Sequence, residues 1–100
     1  MTEDPLQVQV LDNAEEQRYE VFVDGVLGGF AQYRLRPGRI VFTHTEVDDA
    51  YEGHGVGTAL IRTALDDARA GGLRVTPICP FVRSYIEQHP EYQDLVEPRE

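Results

Sequence analysis

One change of hydrophobic period constrains this chain more than anything else in it. Before the segment Glu52-Gly53-His54-Gly55-Val56-Gly57 apolar residues recur as in strands; after it they recur at three and four residues, as in a helix. Leu6, Val8 and Val10 alternate with Gln7 and Gln9. Tyr19-Glu20-Val21-Phe22-Val23 then runs into Asp24-Gly25, a step that favours a type I′ hairpin because both central residues need positive φ. Val26 to Leu35 supplies the returning arm, and Pro37-Gly38 turns the chain into Arg39 to Val47. The spacing predicts three or four antiparallel strands in meander order, with Gly28-Gly29 marking a bulge or a close backbone approach.

Downstream, Val56, Leu60, Ile61, Ala64, Leu65 and Ala68 predict a helix running to Ala70, with Gly71-Gly72 as its stop. A strand over Leu73 to Cys79 follows, then a helix opened by Pro80. Phe81, Val82, Tyr85 and Ile86 form its apolar face, His89-Pro90 ends it, and Tyr92, Leu95 and Val96 pack a last turn on the core. The fold class is α/β in the broad sense (α+β): a mostly antiparallel central sheet, a glycine turn into a central helix, then strand and helix. One hundred residues, 41% of them apolar and 27% charged, suit one globular domain over residues 1–100.

Several function classes are disfavoured. The longest apolar runs, such as Val21 to Val23 and Ile40 to Phe42, are far shorter than the ~18 residues of a membrane span. Met1-Thr2-Glu3-Asp4-Pro5 lacks the basic start of a signal peptide. The single cysteine, Cys79, has no partner for an internal disulfide, so a reducing, cytoplasmic setting is expected. A net charge of −9 argues against a nucleic-acid partner, and the absence of lysine removes Schiff-base chemistry and a Walker-type phosphate lysine. His44, His54, His89 and Cys79 do not make a metal-ligand spacing, so no metal is expected. Edge strands can pair between chains, which leaves monomer or homodimer open.

The glycine turn carries the chemistry. Its three glycines permit a close approach of backbone to ligand, and N–H groups at a helix N-terminus, aided by the helix dipole, suit a pyrophosphate. The same pattern also describes a flexible strand-to-helix connection. A P-loop would need Gly-Lys-Ser or Gly-Lys-Thr where this chain has Gly57-Thr58. A dinucleotide fold would want an acidic residue ending the next strand, where Leu73 to Cys79 offers none.

The order of antiparallel strands, glycine turn, helix, strand and helix resembles the GNAT acetyltransferases, the N-acetyltransferase superfamily. Their pyrophosphate motif is Arg or Gln, two residues, Gly, one residue, Gly or Ala. Gly55 and Gly57 fit its small positions, and Glu52 stands where the family has Arg or Gln. His44 to Val47, Pro77-Ile78-Cys79-Pro80-Phe81-Val82 and Tyr85 to Tyr92 sharpen the likeness to a small single-domain GNAT-like group.

The resemblance implies acetyl-CoA or coenzyme A as co-substrate, held by Val47, Gly53, His54, Gly55, Val56, Gly57 and Thr58. It implies a splay between Phe42 to Val47 and Leu73 to Cys79 that admits the pantetheine arm, and transfer of an acetyl group to a small-molecule or peptide amine. Tyr85 falls where many members place the tyrosine that protonates the departing thiolate, and it equally fits the apolar helix face. Arg62, Arg69, Arg74 and Arg83 are candidates to meet the adenosine 3′-phosphate.

From the residues themselves, His44 and Glu46 stand two apart on one strand and share a face, so either suits a general base; a solvated histidine is the competing outcome. Cys79, immediately before a helix, is placed to accept or position the acyl group, and equally suits a small core residue. The acidic composition leans towards a cationic acceptor. A non-catalytic acyl-CoA binding or sensing domain and a protein-interaction module are the alternatives. The chain is short for the family's early helices and last strands, which agrees with the first of these.

Overall fold

Turn residues decide how the first half of the chain pairs. The computed structural model describes residues 7–51 and 53–96. The expected Leu6 end of the first strand and the Glu52 position of the glycine motif lie outside the described residues. β1 (Val8–Asn13), β2 (Arg18–Val23), β3 (Val26–Arg36) and β4 (Arg39–Val47) run antiparallel in sequence order, and β5 (Arg74–Pro77) joins β4 in parallel to complete a five-stranded sheet. Asp24 (φ 50°) and Gly25 (φ 83°) both take the left-handed conformation that the tight β2–β3 turn requires.

The expected glycine irregularity is a bulge and a close approach at once. The β2–β3 register passes from Val21↔Gly29 to Phe22↔Leu27, leaving Gly28 extra, and a Cβ on Gly29 would stand 2.5 Å from the Glu46 carbonyl oxygen. A second bulge, which nothing in the sequence announces, leaves Thr43 extra between Gln32↔His44 and Tyr33↔Phe42. It reverses the alternation of β4, so Thr45 and Val47 continue on the face of Ile40 and Phe42, while His44 and Glu46 lie on the other.

That inner face carries Tyr19, Val21, Val23, Ala31, Tyr33, Ile40, Phe42 and Val75, all buried. α1 (Val56–Ala70) packs on it through Val56, Leu60, Ile61, Ala64, Leu65 and Ala68, the residues that its spacing selects. Fully burying such side chains is worth about 1.5–3 kcal/mol each. The helix ends as Gly71-Gly72 predicts: Gly72 adopts φ 71°, its N–H donates to Arg69 O, and Leu73 N–H donates to Ala68 O. α2 (Pro80–Gln88) adds Val82, Tyr85 and Ile86 to the same core.

Two expectations need correction. Phe81 does not share the buried face of α2: it is 42% exposed, because the first turn of α2 abuts the first turn of α1, where Gly57 has no side chain and the ring lies across it. The strand predicted to reach Cys79 stops at Pro77, because the Ile78 and Cys79 amides both turn to the Phe42 carbonyl.

Tyrosine–aspartate bonds tie the layers together. Tyr19 OH donates to Asp67 and Tyr92 OH to Asp66, both on α1, while Tyr33 OH donates to Asp12 on β1. No helix among the described residues is long and apolar enough to cross a membrane.

Two outcomes follow from this packing. Gly29→Ala should destabilise the protein by about 2 kcal/mol, because the atom within reach of the new methyl is backbone that cannot rotate away; urea unfolding measures it. Burial, then the bond to Asp66, pushes the Tyr92 phenol from 10.0 to about 12. A folded-state pKa raised in this way contributes stability that is complete below pH 10 and lost as pH rises towards 12, so the urea midpoint should fall across that window, and less so in Tyr92→Phe.

Candidate functional site

The site begins where the sheet divides. Phe42↔Pro77 is the last β4–β5 pair, and Phe42 O accepts both Ile78 N–H at 3.1 Å and Cys79 N–H at 3.0 Å. Beyond it β4 runs on to Val47 without a β5 partner. Alternation puts the Phe42 carbonyl towards β5; with Thr43 extra, Thr45 and then Val47 are the next residues to turn backbone groups to that side. Those groups line an open edge.

At the far end of this edge the chain makes a short 3₁₀ turn, Asp49–Tyr51, and enters the glycine segment. Asp48 Oδ1 accepts the Ala50 N–H at 2.9 Å and starts that turn. Gly53 (φ 85°) and Gly55 (φ 74°) both adopt the left-handed conformation, and Gly55 leads directly into α1. A left-handed residue followed by right-handed ones gathers successive N–H groups into a concavity that suits an anion. The first N–H groups of α1, from Val56 onward, have no acceptor within the helix and point the same way.

The two features bound one cleft of about 680 Å³, lined on the strand side by Thr45, Glu46 and Val47 and on the helix side by Gly53, Gly55, Val56, Gly57 and Thr58. The structure thus brings together every expected coenzyme-binding residue except His54, whose amide donates to Tyr51 O and which is not among the lining residues. Asp48, Asp49, Tyr51 and Phe81 complete the wall. Glu46, Asp48 and Asp49 are acids, so attraction for an anion here rests on backbone N–H groups.

Tyr51 and Phe81 were missed from the sequence, though each left a trace. A Cβ on Gly28 would meet the Tyr51 ring at 2.9 Å, and one on Gly57 would meet Phe81 Cζ at 2.8 Å. Both glycines make room for an aromatic wall. A second cavity of about 490 Å³ lies beyond Phe81 and shares Thr58 and Phe81 with the first; Pro80, Ser84, Tyr85 and Gln88 complete it.

The proposed chemical groups separate into two sets. His44 Nε2 and Glu46 Oε2 are 2.8 Å apart on the outer face of β4, with side chains 53% and 63% exposed. A carboxylate can only accept, so Nε2 is the donor in this bond, and in the neutral imidazole Nδ1 is then the acceptor. Cys79 is buried and caps α2, and its thiol donates to Thr45 Oγ1 at 3.3 Å across the mouth of the divide. Tyr85 faces the second cavity, not the cleft, with its ring stacked on His89 at 3.9 Å, and burial raises its pKa above the ordinary value. Of the four arginines considered for a phosphate, Arg69 is committed to Asp94 and Glu91 O, and Arg83 to Pro77 O and Ile78 O. No group of three or more His, Cys, Asp or Glu that could hold a metal occurs among the described residues.

Comparison with known proteins bears on the family and the fold. The family model described as GCN5-related N-acetyl-transferase matches residues 18–95. Protein NATD1 of Gallus gallus is 28% identical over 95 residues, covering 91% of this chain and 86% of that protein. Protein NATD1 of Homo sapiens is 33% identical over 57 residues, 55% of this chain and 50% of that protein. The solution structure of a GCN5-like protein of Staphylococcus aureus superposes with a TM-score of 0.70 at 24% identity, over 98% of this chain and 94% of that one. Ribosomal-protein-alanine N-acetyltransferase of Brucella melitensis gives 0.54 at 21% identity, over 83% and 63%. These two structures speak to fold.

Burial of Cys79 has a direct readout. Its reaction with an aromatic disulfide reagent should be at least about tenfold slower in the native protein than in urea, followed by absorbance. Equal rates would mean that the thiol is open to the cleft.

Proposed function

The chain belongs to the GCN5-related N-acetyltransferase family, and we propose that it transfers an acetyl group from acetyl-CoA to an amine. The observation that carries this is the continuity of the cleft: an anion-binding turn at Gly53 to Thr58 opens onto the unpaired edge of β4 at Thr45 to Val47. A pyrophosphate suits the first and an amide-bearing arm the second, since the peptide-like groups of pantetheine can take the hydrogen bonds that β5 leaves unmade. The cleft therefore fits the co-substrate without a lysine or a metal.

In the reaction the amine nitrogen attacks the thioester carbonyl. The C–N bond forms and the C–S bond breaks; an ammonium has no lone pair, so one proton leaves the nitrogen before attack, and a second leaves it as the amide forms and is balanced by protonation of the departing thiolate. The His44–Glu46 pair is the base: Glu46 borders the cleft and holds the His44 proton on Nε2, leaving Nδ1 to accept the amine's. The Tyr85 phenol, in the adjoining cavity beyond Phe81, is the acid for a coenzyme thiolate that extends past that ring. Cys79 positions Thr45 through its thiol, and transfer is direct from thioester to amine. Glu46, Asp48 and Asp49 around the cleft favour a cationic acceptor over an anionic one.

Titration calorimetry with acetyl-CoA should give saturable one-to-one binding. In Gly57→Ala the Phe81 ring must move to admit the methyl, so affinity should fall about tenfold while the melting temperature changes little, a flexible side chain being the atom in the way. His44→Ala and Glu46→Gln should lower turnover of an amine acceptor about a hundredfold with acetyl-CoA affinity unchanged. Binding without turnover against any amine would favour a sensing role; absence of binding at millimolar ligand would leave the glycine turn a connection only.

A further inference from the structure

The glycine turn and the His44–Glu46 pair lie on opposite faces of the sheet. Gly53 to Thr58 and Phe81 border the divide from the side that carries the helices, whereas His44 and Glu46 stand exposed on the outer face of β4. No β5 residue pairs with β4 beyond Phe42, so the strand edge beside them can be reached from that face too. A coenzyme arm laid along Thr45 to Val47 from the helix side leaves the outer face as the approach to its thioester. An amine that gives a proton to His44 Nδ1 lies on that face, and its neighbours there decide which amines fit.

Those neighbours are apolar. Residues paired across antiparallel strands share a face with their Cβ atoms about 5 Å apart. The registers Phe30↔Glu46, Glu20↔Phe30 and Phe22↔Leu27 therefore place Phe30, Phe22 and Leu27 next to Glu46. The Phe30 ring lies 6.1 Å from that of His44. Leu27 is exposed, as is Leu11 on β1, while Phe22 and Phe30 are half-buried. The charges behind this patch are matched to each other. Arg18 lies 4.7 Å over the Phe30 ring and donates to Glu20 at 2.7 Å, and Asn13 donates to the same oxygen of the buried Glu20. Glu46 is thus the carboxylate that meets a cation beside Phe30.

We propose that this face is the acceptor site, and that it takes a primary amine joined by a short linker to an aryl group. The ammonium sits at Glu46 and the aryl body covers Phe30, Phe22 and Leu27. A polyamine has no apolar body to bury there. A second copy of the chain is the poorer occupant, since two chains of charge −9 repel each other. The choice of an amine rests on the acetyl-transfer proposal; binding at this face does not require turnover.

The test follows backbone amide shifts with 2-phenylethylamine and spermidine as probes, with and without coenzyme A. 2-Phenylethylamine should shift Phe22, Leu27, Phe30 and His44 together, and spermidine should need at least about tenfold higher concentration to shift His44. Phe30→Ala should weaken 2-phenylethylamine about tenfold with acetyl-CoA affinity unchanged, and in turnover it should raise KM by the same factor at little changed kcat. Leu27→Asn, at an exposed position, should weaken it about threefold and serves if Phe30→Ala does not fold. Outer-face shifts without turnover uphold the site and count against acetyl transfer. Shifts confined to the helix side, no shifts, or equal affinity for spermidine overturn the site. Shifts of Phe22, Leu27 and Phe30 that depend on protein concentration without any amine would make a second copy the occupant and equally overturn it.

Discussion

The Phe42 carbonyl accepts two amides where a regular ladder would give it one, and the sheet divides at that atom. Parallel pairing needs evenly spaced donors and acceptors on both strands. Here the second amide is drawn back to the same oxygen, proline follows, and no ladder can be rebuilt. The exposed β4 edge, the position of the α2 cap and the orientation of the glycine turn against that edge all depend on this one departure. A cleft lined by backbone groups is what remains when a buried ladder is stopped short without being covered.

Around the divide the architecture is conservative. One face of the sheet is covered by α1 and α2, and the tyrosine–aspartate bonds fix α1 against β2 and the last turn against α1. This rigidity matters for a site made of backbone. N–H groups have no rotamers to adjust, so their placement is only as good as the packing of the helix that carries them. Val56, wholly within the core at the start of α1, secures the helix N-terminus directly behind the Gly53 to Gly57 concavity.

Much of this was legible beforehand. The buried stripe of α1, the Asp24-Gly25 turn, the bulge at Gly28 and the glycine stop at Gly72 are local consequences of spacing or of backbone freedom. The backbone shape of the glycine segment was legible for the same reason, since glycines at a strand-to-helix junction constrain the backbone wherever they occur. The aromatic wall of Tyr51 and Phe81 was not. A half-exposed phenylalanine in a short helix reads as part of its apolar stripe, and only the neighbouring Gly57 explains why it lies elsewhere.

The order of strands, the helix that packs on them and the glycine turn were determined by the sequence by itself, because each follows from the period and conformational range of residues close in the chain. The tertiary structure alone decided which of those residues meet. The bulge at Thr43 puts Thr45 and Val47 on the inner face of β4 and His44 with Glu46 on the outer, and no local preference of threonine calls for a bulge there. The proline after Cys79 likewise acquires its meaning from a strand thirty-odd residues away in the chain, through the Ile78 and Cys79 bonds to Phe42 O that exist only once β4 and β5 lie side by side.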